Sequence, residues 1–366
     1  MKVGNKHYRS IWLEDEGHKV AVIDQTLLPF RFEIRQLTSS DEAVAAIRDM
    51  VVRGAPLIGA TASCGLMLAT LQDPSDTYLK QAAEQLLVAR PTAVNLRWAL
   101  DRMLPELLTA NESDRFATAR HLAQSICDED VHINSTLGDH GLGVFQDILK
   151  TRPDSQVLNV LTHCNAGWLA TVDWGTALAP IFKGHDQGMN IHVWVDETRP
   201  RNQGASLTAW ELQAHGIPHT VIADNAGGHL MQHQQVDVCI VGSDRTTRSG
   251  DVCNKIGTYL KALAAHDNGV PFYAALPSST IDWTIRDGLV EIPIESRPGT
   301  EVTHITGVDR DDQLTRVRLT PEGSPAANPA FDVTPRHYVS GIITERGVSS
   351  ASEKALLELY PEHADS

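Results

Sequence analysis

The thiol of Cys164 lies just beyond a short apolar run, where a β-strand would end. It belongs to the turn His163-Cys164-Asn165-Ala166-Gly167, which follows the run QVLNVLT. In a strand-to-helix turn, the N–H groups of the helix N-terminus favour a thiolate, so this position suits a reactive cysteine. Free cysteines are also among the most often buried residues, and a buried inert thiol is the alternative. The other cysteines lie in apolar or helical surroundings and are interpreted as structural: Cys64, Cys127, Cys239 and Cys253.

Asp244 occupies a similar position at the end of another apolar run, VDVCIVGS, and precedes Arg245. A carboxyl group there can act as a general acid or base if its surroundings keep it protonated. Val238, Ile240 and Val241 could supply an apolar surround. An N-cap on a following helix explains an aspartate at this position equally well. The local sequence leaves both interpretations open.

Several positions suit a ligand that carries a phosphate and hydroxyl groups. The stretch Arg53-Gly54-Ala55-Pro56 places a guanidinium before the bare N–H groups of a predicted helix, and both bind phosphate. Arg90-Pro91-Thr92 repeats this arrangement, and Asn254-Lys255 offers an amide beside a cation. Gln203, in a loop after a predicted strand, could bind a hydroxyl group. Each residue alone is equally well explained as part of a solvated surface.

Composition and motifs exclude several classes of protein. The chain has 46 acidic and 31 basic residues, a net charge of −15 that opposes a broad role on nucleic acid or an anionic membrane. CxxC pairs are absent, so the sequence supports neither a zinc ribbon nor a thioredoxin-like motif, and it also lacks GxGxxG, P-loop, GxSxG and HExxH motifs. The N-terminal stretch MKVGNKHYRSIW lacks the apolar run of a signal peptide, which predicts a cytoplasmic protein with free thiols.

The first third of the chain predicts a small sheet followed by helices. Residues 8–37 suggest an antiparallel meander, with strands near Ile11–Leu13, Val20–Ile23 and Phe30–Ile34. Ser39 and Glu42 resemble a capping box that opens a helix over Asp41–Val52. Pro56 suits the first turn of a buried helix, since its missing N–H costs little there. Further helical patterns cover 77–89, 95–110 and 114–150, the last interrupted near Gly138–Gly143.

From residue 156 onward, short apolar runs alternate with helical stretches, which is typical of a doubly wound parallel sheet. The predicted strands are 156–162, 191–195, 219–223, 236–242 and 271–276. Such sheets bind ligands at the carboxyl ends of their strands, so we expect Cys164 and Asp244 to share one crevice. His163 should point away from Cys164, because adjacent strand residues face opposite sides. The predicted fold is α/β, with a mainly helical domain over 1–125 and a Rossmann-like domain over 126–366.

Six stretches, in the same order along nearly the whole chain, closely resemble the methylthioribose-1-phosphate isomerases. These isomerases belong to a superfamily that also contains ribose-1,5-bisphosphate isomerases and regulatory subunits of a translation-initiation exchange factor. The matching stretches are VRGAPLIGATAS (52–63), RPTAVNLRWALDRM (90–103), HCNAGWLAT (163–171), DETRPRNQGASLTAWEL (196–212), VGSDRTTRSGDVCNKIGTY (241–259) and NPAFDVTP (328–335).

The resemblance implies a homodimeric enzyme that isomerises 5-methylthioribose 1-phosphate in methionine salvage without a metal or nucleotide cofactor. It assigns Asp244 as the proton donor and Cys164 as the second catalytic group. The residues that it places around the substrate are Arg53, Gly54, Ala55, Arg90, Gln203, Asn254 and Lys255. Family members often carry alanine at the position of Ser243, and at 224–228 they often have a sequence that differs from the Asp-Asn-Ala-Gly-Gly of this chain. The alternatives are an isomerase of 5-deoxyribose 1-phosphate or ribose 1,5-bisphosphate, and a non-catalytic regulatory protein.

Overall fold

The computed structural model describes residues 1–4, 6–90, 94–151 and 157–364. Its N-terminal part contains two small antiparallel sheets: β1 (Lys2–Val3) with β2 (Lys6–His7), and β3 (Ile11–Glu14), β4 (Lys19–Ile23) and β5 (Ile34–Leu37). The predicted meander is confirmed, but its third strand begins at Ile34 instead of Phe30. Residues 26–30 form a turn in which Phe30 N–H donates to the carbonyl of Leu27 over 3.1 Å. Pro29 within this turn has no N–H for a sheet ladder, and the strand begins only beyond it.

Helices make up the rest of the N-terminal part: α1 (Ser40–Arg48), α2 (Ala55–Gln72), α3 (Asp76–Ala89), α4 (Val94–Thr109) and α5 (Arg115–Lys150). The Ser39 hydroxyl caps α1 by accepting from Glu42 N–H at 3.2 Å, as predicted. The Glu42 carboxylate, however, accepts from the N–H of Thr38, one residue earlier than in a standard capping box. The prediction that this helix reaches Val52 is wrong, because Met50 has a φ of +61° and ends the helical path.

The apolar helix α2 forms the core of the helical part. Of the helices within the described ranges, it alone has the length and composition of a membrane span, and 89% of it is buried inside the protein. It packs against α1, α3, α4 and α5, as expected for a buried core helix. Small residues permit this close packing: a Cβ atom on Gly65 would lie 2.8 Å from the Cβ of Ala43.

Helix α5 is continuous over 36 residues, so the predicted interruption near Gly138–Gly143 is wrong. Gly138 and Gly141 serve close packing instead of breaking the helix. A Cβ atom on Gly138 would lie 2.9 Å from the Cβ of Ala179, and one on Gly141 would lie 2.8 Å from the Cγ of Pro180. Tertiary contact explains these two glycines, whereas local helix propensity alone would predict a break.

The glycines of α5 provide a matched pair of substitutions. We expect Gly141→Ala to lower the free energy of unfolding by about 1–3 kcal/mol, because the rigid ring of Pro180 must move. A Cβ atom on Gly143 would point into open space. Gly143→Ala should therefore raise the free energy of unfolding by about 0.5–1 kcal/mol, because alanine has the higher helix propensity. Urea denaturation of both variants measures the difference. Equal stability of the two proteins would contradict the proposed packing role of Gly141.

The C-terminal part contains most of the strands. They are β6 (Leu158–Thr162), β7 (Ile191–Asp196), β8 (His219–Ile222), β9 (Val238–Val241), β10 (Arg245–Thr247), β11 (Val252–Lys255), β12 (Phe272–Ala275), β13 (Ile281–Asp282), β14 (His304–Val308), β15 (Leu314–Arg318), β16 (Phe331–Thr334), β17 (Gly341–Thr344) and β18 (Gly347–Ser349). The helices among them are α6 (Ala179–Asp186), α7 (Ala209–His215), α8 (Gly227–Gln232), α9 (Thr258–Asp267), α10 (Gly288–Glu291), α11 (Thr300–Thr303) and α12 (Glu353–Leu359).

The described residues form a seven-stranded sheet in the order β18-β17-β12-β9-β6-β7-β8, parallel except for the edge strand β18. All five predicted strands belong to it, although Gln156 at the predicted start of the first lies outside the described residues. Alternate residues of β9 enter separate cores: Val238 and Ile240 join one, and Cys239 and Val241 the other. The sheet is therefore covered on both faces, which confirms the doubly wound α/β fold.

A second sheet, in the order β13-β10-β11-β16, lies next to the strand ends and was not predicted. Its strands β10 and β11 form a hairpin directly after Asp244, and β16 pairs Phe331 with Lys255. The predicted domain boundary at 125/126 lies within α5, which packs against both α2 and α6. The division into 1–125 and 126–366 stays a prediction.

Candidate functional site

Cys164 lies one residue beyond the buried His163, in the turn after β6. Its φ of +66° is uncommon for a residue with a side chain. Two threonines hold this conformation: Cys164 N–H donates to Thr198 Oγ1 over 2.8 Å, and Thr208 Oγ1 donates to the Cys164 carbonyl over 2.7 Å. The expected helix N-terminus is not there. A three-residue 3-10 turn, Trp168–Ala170, follows instead, and its first two N–H groups donate to Glu211.

Asp244 lies beyond β9 and immediately before β10, with its backbone N–H donating to the carbonyl of Cys253 over 2.9 Å. No helix begins within this described stretch, so the N-cap interpretation is wrong. The expected apolar surround from β9 is also wrong, because its side chains point into the two cores of the sheet. A small cavity beside Asp244 is instead lined by apolar residues from elsewhere in the chain together with Arg90, Arg245 and Cys253. The apolar residues are Ala55, Ile58, Ile292, Pro293 and Phe331.

Arg53 and Gly54 bring the start of α2 to the loop of Cys164. The Arg53 guanidinium donates from Nη1 to Asn165 Oδ1 over 2.6 Å and from Nη2 to the Asn165 carbonyl over 2.8 Å. Gly54 adopts a φ of +98°, and a Cβ atom there would lie 2.4 Å from the carbonyl oxygen of Ala170. Only glycine permits this approach, which places the N-terminal N–H groups of α2 next to the guanidinium.

Arg90 and Lys255 add two buried cations. Arg90 ends α3, with its Nη2 3.9 Å from Glu295 Oε2, and Lys255 Nζ lies 4.4 Å from the ring centroid of Phe331. Burial lowers the pKa of both groups. The negative charge of Asp244 opposes that shift on both, which indicates that the carboxylate faces both cations. Pro91 and Thr92, the rest of the predicted anion site, lie outside the described residues.

Gln203 and Asn254 offer neutral polar groups. Gln203 is 3% exposed, and its Oε1 has no hydrogen-bond partner within the described part of the chain. A buried amide oxygen without a partner costs free energy unless a ligand or solvent donates to it. Asn254 on β11 donates from Nδ2 to Thr258 Oγ1 over 3.0 Å, which fixes its side chain.

All nine residues singled out in the sequence line one pocket between the helical part and the strand ends: Arg53, Gly54, Ala55, Arg90, Cys164, Gln203, Asp244, Asn254 and Lys255. Further lining residues that sequence reasoning did not single out include Met50, Asn165, Thr176 and Phe331. Asn165 and Phe331 stand in the matching stretches 163–171 and 328–335, so motif membership was the available signal for those two.

His163 takes part in a buried charge network. Its Nδ1 lies 2.9 Å from Asp196 Oδ2 and its Nε2 lies 2.8 Å from the Ile256 carbonyl. Both ring nitrogens therefore have partners other than Cys164, and the two residues do not form a Cys/His dyad. Within the described ranges, His163, Asp196 and Asp224 are the one group whose ligand atoms approach closely enough to hold a metal ion. The Lys261 ammonium lies 3.0 Å from Asp196 Oδ2 and donates to the Asp224 carbonyl. A side-chain cation therefore already balances the Asp196 carboxylate.

Fold and pocket together define a doubly wound α/β protein with a crevice at its strand ends that is lined by the cations Arg53, Arg90 and Lys255. The model of the initiation factor 2 subunit family matches residues 51–351. A methylthioribose-1-phosphate isomerase of Methylorubrum extorquens is 63% identical over 362 residues, covering 99% of each chain. The chain therefore belongs to the initiation factor 2 subunit family and, within it, to the methylthioribose-1-phosphate isomerases.

Two solved structures share the fold over nearly the whole chain. The 5-methylthioribose 1-phosphate isomerase of Pyrococcus horikoshii OT3 superposes with a TM-score of 0.83 at 38% identity, covering 98% of this chain and 97% of that one. A structure named translation initiation factor eIF-2B, subunit delta, from A. fulgidus superposes with a TM-score of 0.79 at 37% identity, covering 97% and 100%.

Proposed function

We propose that this chain isomerises 5-methylthio-α-D-ribose 1-phosphate to 5-methylthio-D-ribulose 1-phosphate, a step of methionine salvage. The observation that carries the proposal is the convergence of Cys164 and Asp244 on a pocket that also holds Arg53, Arg90 and Lys255. A phosphate dianion bound by these cations would place the sugar carbons next to the thiol and the carboxyl group. The names of the similar isomerases agree with this assignment.

The reaction requires an acid and a second group that handles hydrogen. Because the anomeric oxygen carries the phosphate, the sugar ring cannot open by ordinary mutarotation. Asp244 protonates the ring oxygen as the bond between that oxygen and C1 breaks, and hydrogen moves from C2 to C1 with Cys164 as base or transition-state stabiliser. The 2-hydroxyl loses its proton as the C2 carbonyl forms, and this proton returns to the Asp244 carboxylate. Both a proton transfer through an enediol and a direct hydride shift fit this arrangement. The cations hold the phosphate, and the unpartnered oxygen of Gln203 accepts a hydrogen bond from a sugar hydroxyl.

The walls of the pocket favour a small apolar 5-substituent. Met50, Ala166 and Phe331 line it, and its cations among the described residues are Arg53, Arg90 and Lys255. A second phosphate would need further cations. We would incubate the protein with 5-methylthioribose 1-phosphate, 5-deoxyribose 1-phosphate and ribose 1,5-bisphosphate and follow each by NMR. Preference for either of the last two would reject methylthioribose phosphate as the substrate, and no turnover of any would favour a regulatory binding protein.

The cytoplasmic location and the homodimer belong to the same proposal. The homodimer follows from the family resemblance. All five cysteines are buried and unbridged, which suits a reducing compartment. Light scattering of the purified protein measures its mass directly, and a value near that of one 40.0 kDa chain would contradict the homodimer.

A further inference from the structure

Glu211 is a buried carboxylate that the mechanism above does not use. It lies on α7 and is 1% exposed, behind the loop that carries Cys164. Its Oε1 accepts from Asn165 Nδ2 over 2.9 Å and from Leu169 N–H over 3.1 Å, and its Oε2 accepts from Trp168 N–H over 3.0 Å. All three partners are donors, and this arrangement matches an ionised carboxylate.

The loop is shaped around this carboxylate. A Cβ atom on Gly167 would lie 1.8 Å from Glu211 Oε2, so only glycine allows the contact. The two backbone N–H groups beyond Gly167 point at Glu211. Because they are occupied by the carboxylate, they are not available to bind a phosphate.

Asn165 connects Glu211 to the pocket. Its amide nitrogen donates to Glu211, while its amide oxygen and its carbonyl each accept a hydrogen bond from Arg53. The chain Glu211–Asn165–Arg53 therefore fixes the guanidinium from behind with charge-assisted hydrogen bonds. Burial raises the pKa of Glu211 to about 7, and its hydrogen bonds and the charge of Arg53 act in the opposite direction.

We infer that Glu211 is a positioning residue for phosphate binding, which acts through Asn165 to hold the Arg53 guanidinium towards the ligand. This inference rests on the proposed function for the identity of the anion, and it adds a residue that does not itself line the pocket. A carboxylate behind an asparagine fixes the orientation of Arg53 without placing a negative charge against the phosphate.

The test measures the binding of inorganic phosphate by calorimetry together with the kinetics of isomerisation. Glu211→Gln keeps the size of the side chain but turns an amide NH2 towards one of the three donors. We expect the phosphate dissociation constant and KM to rise about tenfold, while kcat changes less than threefold. In an Arg53→Ala background, the same substitution should change the phosphate dissociation constant less than twofold, because Glu211 and Asn165 then have no guanidinium to position.

Asp130 supplies the matched control. It is another buried carboxylate, with a pKa raised to about 7 by burial, and it accepts from Val172 N–H over 2.7 Å without contacting Arg53. Asp130→Asn should lower thermal stability and leave phosphate binding within twofold of wild type. A merely structural role for Glu211 predicts that both variants behave in this way, and that result would overturn the inference.

A second variant covers the case in which Glu211→Gln does not fold. Asn165→Ala breaks the link while leaving Glu211 bound to Trp168 and Leu169, and it should weaken phosphate binding by a similar factor. Unchanged binding in this variant, or wild-type phosphate binding that does not depend on Arg53, would refute the inference. Calorimetry needs no turnover, so a wild type that binds phosphate but isomerises nothing would reject the proposed function alone.

Discussion

The Asp244→Asn variant should lose kcat by about 10²–10⁴-fold while keeping the fold, because the amide has nearly the same shape but cannot transfer a proton. Phosphate binding should not weaken. The cations Arg90 and Lys255, which Asp244 faces, stay in place in this variant and still attract the phosphate dianion. Steady-state kinetics and phosphate calorimetry on the same preparation measure the two effects separately.

Asp251→Asn is the control for this prediction. Asp251 lies in the connection between β10 and β11, close in sequence to Asp244 but outside the pocket lining. Its carboxylate accepts backbone N–H groups from Gly288 and Arg336, both at or below 3.0 Å, which is a structural role. We expect kcat close to wild type. A kcat of Asp244→Asn within threefold of wild type would disprove the assignment of Asp244 as the acid.

The positions of Cys164 and Asp244 could be predicted because both depend on one local signal. An apolar run followed by a polar turn indicates the carboxyl end of a parallel strand, and β6 and β9 are neighbours in the sheet. The strand β17 carries the same kind of apolar run but was missed. In the sheet, β17 pairs with β12, but β13 to β16 separate the two strands along the chain. The alternation of strand and helix that identified the other strands is therefore interrupted before β17.

The partners of these two residues could not be placed from local pattern. Arg53 and Arg90 belong to the helical part, and their approach to the strand ends depends on packing between distant segments. Glu211 shows the same limit more clearly: in the sequence AWEL a glutamate on a helix predicts a solvated side chain, whereas here it is buried. Local pattern marked Arg53 and Arg90 as candidate phosphate ligands, but only the family resemblance put them around the same substrate as Cys164 and Asp244.

Cys164→Ser should lower kcat by about 10²-fold or more without unfolding the protein, because a hydroxyl ionises far less readily than a thiol and supplies almost none of the anion that would act as base. The contacts that hold the turn, from Thr198 and Thr208, involve only the backbone of Cys164 and persist in the variant. Cys239→Ala is the matched control. Cys239 is fully buried in β9, and burial raises the pKa of its thiol, so its loss should reduce stability and leave kcat unchanged.

Solvent deuterium then distinguishes the two routes open to Cys164. If the thiolate removes the C2 proton, turnover in D2O should place solvent deuterium at C1 of the product, to the extent that the thiol exchanges with solvent before returning the hydrogen. If hydride passes directly from C2 to C1, the product keeps the original hydrogen, and Cys164 only stabilises the transition state. Cys164 is 6% exposed, which limits the access of solvent to its thiol, so partial labelling also counts as proton transfer. Wild-type kcat in Cys164→Ser would exclude both roles.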